Sequence, residues 1–244
     1  MGSVTVALAL NEAISRLEGR FGARTVVTAT VADGQARARR SVTGTSFDRL
    51  SGGGIEPGSA LAFTGAGTCG KVTLALRAVA GAQREGGTAL WVDPTRSFDP
   101  LAAQRAEIDL ARILVVRAQT SDAVRVAAGS GLRSEGFRLV VVDLGPAFAS
   151  ATSVDDLAPV LPHVRGSTAA LVVLTDAPAS RLALPTYVFE RIAWEEDHGR
   201  TAGWAFAIRK VGDPRDERAI LHSTSLGRRL VDAGMRTEIR KAAS

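Results

Sequence analysis

Two apolar runs in the second half of the chain limit its possible folds more than any other feature. Residues 137–144 (FRLVVVDL) and 169–176 (AALVVLTD) are apolar almost without interruption. A strand of this kind is buried on both faces, as in a parallel sheet covered by helices, whereas a half-exposed strand would alternate. We therefore expect an open α/β domain in which right-handed crossovers place helices on both faces of a mainly parallel, twisted sheet.

The remainder of the chain from residue 42 alternates between predicted strands and predicted helices. Further strands are expected at 59–64, 88–93 and 112–117, and helices at 71–84, 100–106 and 121–134. Residues 187–194 and 204–211 are predicted antiparallel strands joined through 195–203. The Arg-rich segment from residue 213 is interpreted as a helix or a flexible extension.

The first 40 residues are interpreted as an appendage made of a helix, a strand and a basic connector. Four apolar residues recur at spacings of four, three and four and form the N-terminal apolar face: Leu10, Ile14, Leu17 and Phe21. This face needs a partner surface, which is either the main domain or a neighbouring subunit. The predicted division is an appendage at 1–40, a core at 41–212 and a basic C-terminal extension at 213–244.

Composition excludes several classes of protein. With 45% hydrophobic residues the chain is not of the disordered class, and no apolar run is long enough to span a membrane. No signal peptide is recognisable, and the lone Cys69 excludes an internal disulfide and a Cys-based zinc site. We expect a soluble, cytoplasmic protein. The net charge of +5 fits either an Arg-rich composition or attraction to a polyanion such as nucleic acid.

A phosphate-binding loop is predicted between the 59–64 strand and the 71–84 helix. In such a loop, backbone amides at a helix N-terminus surround phosphate oxygens, a lysine reaches the outer phosphates, and a hydroxyl ligates magnesium. The sequence GAGTCGKVT supplies the glycines and the lysine in register. The candidate nucleotide-binding residues, which we call the phosphate loop, are Gly65, Gly67, Thr68, Cys69, Gly70, Lys71, Val72 and Thr73.

The metal-binding part of this pattern is incomplete. Val72 stands where a Ser or Thr hydroxyl should ligate the metal, and Thr73 is displaced from that place by about 100° of helix. Asp143 ends an apolar strand, where a carboxylate would hold magnesium through water in a Walker B motif. The alternative for Asp143 is a helix-capping residue on a core strand.

Four blocks in order resemble the RecA recombinase family over roughly residues 7 to 211. They are ALALNEAISRLEGRFGA, the run from Ser41 through the phosphate loop to Leu76, ALWVDPTRSFDP, and FRLVVVDLGPA. The first block is similar to the N-terminal helix that links RecA subunits. The resemblance implies a RecA-like (P-loop NTPase) core.

The same resemblance identifies residues that depart from the RecA pattern. The glutamate that activates the attacking water falls on Thr95, and the aromatic residue that stacks on adenine falls on Ala102. The glutamine that senses the terminal phosphate falls on Asp176, whose charge would repel that phosphate. Loss of these groups implies little or no hydrolysis. ATP and Mg²⁺ are expected to bind weakly or not at all, and no cofactor is assigned with certainty.

DNA contacts of the RecA type are not expected, because the two segments that resemble RecA's DNA-binding loops are short. Basic residues elsewhere remain candidates for phosphate contacts. They are Arg37, Arg39 and Arg40 in the connector and Arg228 and Arg229 near the C-terminus. The alternative is a solvated basic surface.

A short RecA-like core without recombinase loops resembles ImuA-type proteins. That resemblance implies a non-catalytic adaptor in the SOS response and mutagenic translesion synthesis. The implied partners are an ImuB-like protein related to Y-family polymerases, RecA and an error-prone polymerase, with DNA as a further candidate and no membrane. Two alternatives stay open: an active or regulatory RecA-like ATPase that modulates homologous recombination, and a plain DNA-binding protein.

Overall fold

The computed structural model describes residues 40–145, 154–176, 182–197, 200–224 and 230–232. These residues contain one sheet whose strands we number in chain order: β1 Ala60–Thr64, β2 Thr88–Val92, β3 Ile113–Val116, β4 Phe137–Asp143, β5 Ala170–Thr175, β6 Thr186–Asp197, β7 Arg200–Lys210, β8 Arg218–Thr224 and β9 Leu230–Asp232. The helices are α1 Phe47–Leu50, α2 Lys71–Arg84, α3 Pro100–Arg105 and α4 Ser121–Arg133, with 3₁₀ segments at Leu110–Arg112 and Val154–His163.

The sheet has two parts with different strand directions. Its order is β3-β2-β4-β5-β1-β6-β7-β8-β9. All pairs from β3 to β6 are parallel. The pairs from β6 to β9 are antiparallel. The mixed sheet with its helices confirms the predicted α/β class, and the two apolar runs are the adjacent strands β4 and β5.

The parallel part is buried on both faces. On one face, Phe63, Trp91 and Val141 pack in a cluster with residues of α1, α2 and α3. On the other face, side chains of β2, β4 and β5 such as Leu171 pack with residues of α4 and the Val154–His163 segment. Burial of both faces explains why β4 and β5 have no polar alternation.

The antiparallel part is buried on one face only. Within the described residues, β6 to β9 contribute Phe189, Phe206 and Leu221 to the first cluster. None of their residues belongs to the second cluster. On the opposite face Ile220 is 41% exposed. The half-exposed face explains the alternation of buried and exposed residues in β8.

Local signals set the helix ends. Asp99 caps α3 by accepting a hydrogen bond from the Leu101 amide at 2.8 Å, and Pro100 occupies the first turn. Thr120 caps α4 by accepting from the Ala123 amide at 3.2 Å. Helix α2 differs, because Gly70 at its N-cap has no capping side chain. No helix in the described part of the chain combines the length and apolarity that a membrane crossing requires.

Two predictions of local structure are wrong. The connection predicted at 195–203 is mostly strand, because the pairing of β6 with β7 continues to the Asp197–Arg200 pair. The described residues after Asp213 form β8 and β9 rather than a helix or a flexible extension, so the sheet continues past residue 212, where the predicted core ends. In β8 buried residues such as Ala219 and Leu221 alternate with exposed ones. This alternation was not recognised in the sequence because charged residues are frequent in the segment.

Candidate functional site

The candidate site lies at the carboxyl ends of four neighbouring parallel strands. Gly65 follows β1, Asp93 follows β2, Asp143 ends β4 and Asp176 follows β5. Because β2, β4, β5 and β1 are adjacent and parallel, these residues come to one edge of the sheet. This is the edge at which open α/β sheets bind ligands.

The phosphate loop has the backbone shape that its glycines allow. Gly67 has a φ of 59° and Gly70 a φ of 95°, in the left-handed region that favours glycine. Gly70 is the N-cap of α2, so the amides of the loop meet the helix N-terminus. Thr68 is exposed at the top of the loop, whereas Cys69 is buried with a free thiol.

Two glycines of the loop are held against the antiparallel part of the sheet. A Cβ on Gly65 would lie 2.4 Å from the carbonyl oxygen of Phe189 in β6. A Cβ on Gly70 would lie 2.5 Å from the ring of Phe206 in β7. Any side chain at either position would therefore displace the loop or its neighbouring strand.

Lys71 is engaged by groups of the protein itself. Its Nζ donates hydrogen bonds to the carbonyl oxygen of Gly65 at 2.6 Å and to Oδ1 of Asp176 at 2.5 Å. The lysine is 4% exposed, and the Asp176 side chain is 20% exposed. The ammonium group that would meet a phosphate in this kind of loop is thus paired with a carboxylate at the end of the neighbouring strand.

Asp143 is a buried carboxylate beside the loop. Its Oδ2 accepts a hydrogen bond from the Ser97 hydroxyl at 3.0 Å, and its Oδ1 accepts one from the Gly145 amide at 3.3 Å. Burial raises the pKa of Asp143 above its ordinary value of 3.8, and the nearby charge of Asp93 acts in the same direction. The hydrogen bonds and the charge of Lys71 oppose this rise.

The turn after β2 is organised by Asp93 rather than by Thr95. Asp93 is fully buried and accepts hydrogen bonds from the amides of Ser97 at 2.9 Å and Phe98 at 3.1 Å. Thr95, at the place where the resemblance puts the water-activating glutamate, donates its hydroxyl to Ser97 at 3.1 Å. A hydroxyl engaged in this way supplies no carboxylate base.

The side chains beside the phosphate loop do not fit a magnesium–nucleotide complex. Val72 is 40% exposed and has no atom that ligates a metal, and Asp143 is bound to Ser97. Among the described residues, no group of three or more His, Cys, Asp or Glu side chains is arranged to hold a metal ion. The predicted metal role of Asp143 stays a prediction, and no step through a bound metal is derived.

The other predicted contacts fall mostly outside the described residues. The N-terminal apolar face (Leu10, Ile14, Leu17 and Phe21) lies there, as do Arg37, Arg39, Arg228 and Arg229. Arg40 is described, and its guanidinium pairs with Glu56 at 3.0 Å and donates to the Gly54 carbonyl oxygen at 3.3 Å. The predicted DNA contact of Arg40 would compete with that ion pair.

Two contacts of the loop are not apparent from the sequence. Asp176 was expected to repel phosphate, but its pairing with Lys71 was not expected. The other contact is that of Arg191 in β6, which donates to the Thr68 carbonyl oxygen at 3.3 Å and lies 4.6 Å from the centre of the Trp194 ring. The first contact could be anticipated from an acidic residue at the end of an adjacent parallel strand, whereas the second depends on the register of β6.

Comparison with known proteins identifies relatives of this site. Residues 8–158, more than half of the chain, match the family described as the RecA N-terminal domain. The RecA protein of Thermosynechococcus vestitus is 32% identical over 135 residues, which cover 55% of this chain and 38% of that protein. The RecA protein of Prochlorococcus marinus is 30% identical over 164 residues, covering 67% of this chain and 44% of that protein. The chain thus spans less than half the length of these relatives.

Proposed function

The chain belongs to the RecA N-terminal domain family, and on that premise we propose that it is a non-catalytic accessory protein of bacterial DNA-damage tolerance. In this proposal it acts as ImuA-type proteins do, in mutagenic translesion synthesis during the SOS response. Its partners are an ImuB-like protein related to Y-family polymerases, together with RecA and an error-prone polymerase. DNA is a further candidate contact.

The observation that carries the proposal is the side chain at the place of the water-activating residue. Thr95 stands there, and its hydroxyl donates to Ser97 at 3.1 Å. Removing a general base typically lowers a rate by about 10²- to 10⁴-fold. Val72 adds to the loss, because it offers no oxygen to a metal that would neutralise charge during phosphoryl transfer.

The proposed role in assembly depends on the protein-binding surfaces that the fold retains when it does not hydrolyse ATP. A fold of this family that keeps its sheet and loop but lacks a base retains surfaces for protein contacts. The N-terminal apolar face is the predicted surface, because four apolar residues on one side of a helix require a covering partner. We propose that an ImuB-like protein covers it.

A hydrolysis assay tests the loss of turnover. ATP hydrolysis by the wild type, with magnesium and single-stranded DNA, is compared with that of the Lys71→Ala variant. We expect the two rates to be equal within error. Robust hydrolysis by the wild type that DNA stimulates and Lys71→Ala abolishes would overturn the proposal.

A binding assay with a purified ImuB-like protein tests the partner. The variant carries alanine at all four positions of the N-terminal apolar face, and the matched control is Glu12→Ala with Arg16→Ala, which lie on the other side of the predicted helix. We expect the variant to lose binding at least about tenfold and the control to bind as the wild type does. Equal binding by the variant would remove this face from the proposal.

The second candidate function is an active or regulatory RecA-like ATPase. It is favoured by the presence of Lys71 and Asp143 at the ends of the adjacent elements where such an enzyme needs them. The hydrolysis assay separates the two functions, because only this candidate requires a wild-type rate above that of Lys71→Ala.

A further inference from the structure

We propose that Asp176 is an internal anion that binds Lys71 in place of a ligand's phosphate, and that it thereby excludes polyphosphates from the phosphate loop. Asp176 is then the residue that determines the specificity of the loop. The inference deepens the proposed function, on which it rests, because it assigns the loop a closed state with no nucleotide. The two can fail separately, since one concerns binding and the other concerns turnover.

The first argument is the geometry of the lysine. A lysine ammonium has three N–H donors. Two of them are used inside the protein, by the Gly65 carbonyl oxygen at 2.6 Å and by Asp176 Oδ1 at 2.5 Å. Because Lys71 is almost fully buried, a phosphate that reached its Nζ would have to displace the carboxylate.

The second argument is the charge around the loop. Asp176 neutralises Lys71 by direct contact. Asp143 is close enough to feel the charges of both Lys71 and Asp93. Arg191 supplies a cation on the outer side of the loop, where it donates to the Thr68 carbonyl oxygen at 3.3 Å. The inner side therefore presents one paired lysine and three carboxylates, and a polyphosphate entering it meets like charge at low dielectric.

A purely structural role for this ion pair makes a different prediction. If the pair only stabilised the fold, neutralising Asp176 would lower stability without creating an affinity. If Asp176 excludes phosphate, the same change frees Lys71 and the loop gains an affinity for phosphate. Asp176→Asn separates the two cases, because the amide oxygen still accepts a hydrogen bond from Lys71 but carries no charge.

The experiment measures the binding of ATP and of inorganic triphosphate to the full chain by titration calorimetry, without magnesium. The proteins are the wild type, Asp176→Asn and the control Glu56→Gln. Glu56 precedes β1, at the other end of the strand from the loop, and pairs with Arg40 at 3.0 Å. The control thus removes one negative charge and one ion pair away from the site.

We expect Asp176→Asn to bind both probes at least about tenfold more tightly than the wild type, which corresponds to about 1.4 kcal/mol. Glu56→Gln should bind as the wild type does. Adding Lys71→Met to Asp176→Asn should remove the gain, because the freed ammonium is then absent. A gain in affinity for ATP but not for inorganic triphosphate would contradict the proposal, because the group that Asp176 excludes would then not be the phosphate.

Two results overturn the proposal whatever the stability of the variants. Tight binding of either probe by the wild type would mean that Asp176 does not exclude it. If Asp176→Asn folds but binds both probes with unchanged affinity, the Lys71–Asp176 ion pair serves only to stabilise the fold. If thermal unfolding shows that Asp176→Asn does not fold, Asp176→Ser replaces it and is held to the same criterion. Hydrolysis by the wild type would require ATP to enter the loop and would overturn both proposals, whereas tight binding without hydrolysis would overturn this one alone.

Discussion

The two parts of the sheet differ in what surrounds them. The parallel strands β1, β2, β4 and β5 bury side chains on both faces, under α1, α2 and α3 on one side and α4 on the other. The antiparallel strands β7 to β9 bury one face and leave side chains such as Ile220 partly exposed on the other. Strand β6 joins the two parts, since it is parallel to β1 and antiparallel to β7.

The two parts of the sheet also contribute different groups to the surroundings of the phosphate loop. The parallel strands carry Asp93, Asp143 and Asp176 at their carboxyl ends, where buried charges are held in pairs and hydrogen bonds. The antiparallel strands supply Phe189 and Phe206, which pack against the loop without offering a charge to it. The carboxylates near Lys71 thus come from the parallel strands, whereas the antiparallel part supplies packing and one cation, Arg191, on the Thr68 carbonyl oxygen.

The largest expected effect contrasts one apolar strand residue from each part. Leu171 in β5 is fully buried, whereas Ile220 in β8 is 41% exposed. Leu171→Ala should lower the free energy of unfolding by about 2–5 kcal/mol, because it leaves a cavity in the buried cluster that it shares with α4 and the Val154–His163 segment. Ile220→Ala should lower it by less than about 1 kcal/mol. Urea denaturation measures both, and equal losses would contradict the difference in burial between the two parts.

The next effect contrasts the ion pair at the end of β5 with one next to the start of β8. Asp176→Ala leaves Lys71 buried without its carboxylate and should cost about 2 kcal/mol, less than a fully buried pair because Asp176 is 20% exposed. Glu217→Ala removes the 2.8 Å pair between Glu217 and Arg49, whose side chains are 35% and 70% exposed, and should cost about 0–1 kcal/mol. Denaturation of both variants measures the contrast.

A double variant serves as the control for this pair. Lys71→Met combined with Asp176→Ala should recover part of the loss, since the unpaired ammonium is then gone. If the stability losses caused by Lys71→Met and Asp176→Ala were simply additive, the two residues would not be coupled. The expected contrast between the two ion pairs would then be wrong.

The smallest effect concerns the pH dependence of stability. Burial raises the pKa of Asp143 in the folded protein above 3.8. The native state therefore binds this proton more tightly than the unfolded state, so that stability falls as pH rises from 3.8 through the raised folded pKa. Asp143→Asn lacks this slope, so its unfolding free energy relative to wild type should grow as pH rises across that window.

A second aspartate gives the opposite sign and serves as the control. A hydrogen bond from the Ala111 amide, with help from Arg112, lowers the pKa of Asp109. The wild type gains stability from Asp109 as pH rises through the lowered folded pKa towards 3.8, so Asp109→Asn should lose stability relative to wild type over that range. The same sign for both variants would contradict the assignment for Asp143.

The fold was largely predictable from local patterns. Continuous apolarity identified β4 and β5, and the strand–loop–helix order placed the phosphate loop between β1 and α2. The ends of β6 and β7 and all of β8 and β9 were not identified. Charged residues such as Glu195 and Arg218 interrupt the hydrophobic signal there, and only pairing with a neighbouring strand makes them extended.

The site was predictable in its residues but not in its contacts. Lys71, Asp143, Thr95 and Asp176 were all singled out from the sequence. That Asp176 reaches Lys71 depends on β5 lying next to β1, and strand order is not encoded in the spacing of residues along the chain. The same holds for Ser97, which reaches Asp143 because β2 lies next to β4.

The close packing of Gly65 against Phe189 and of Gly70 against Phe206 affects how this loop can diverge over time. Substitution at either glycine would meet a steric barrier that exists whether or not a nucleotide ever enters. Selection for a folded sheet is then sufficient to keep both glycines, with or without selection for hydrolysis. In a protein descended from an ATPase, glycines at these positions therefore indicate ancestry and packing. Only the side chains that contact the lysine indicate whether the loop still binds phosphate.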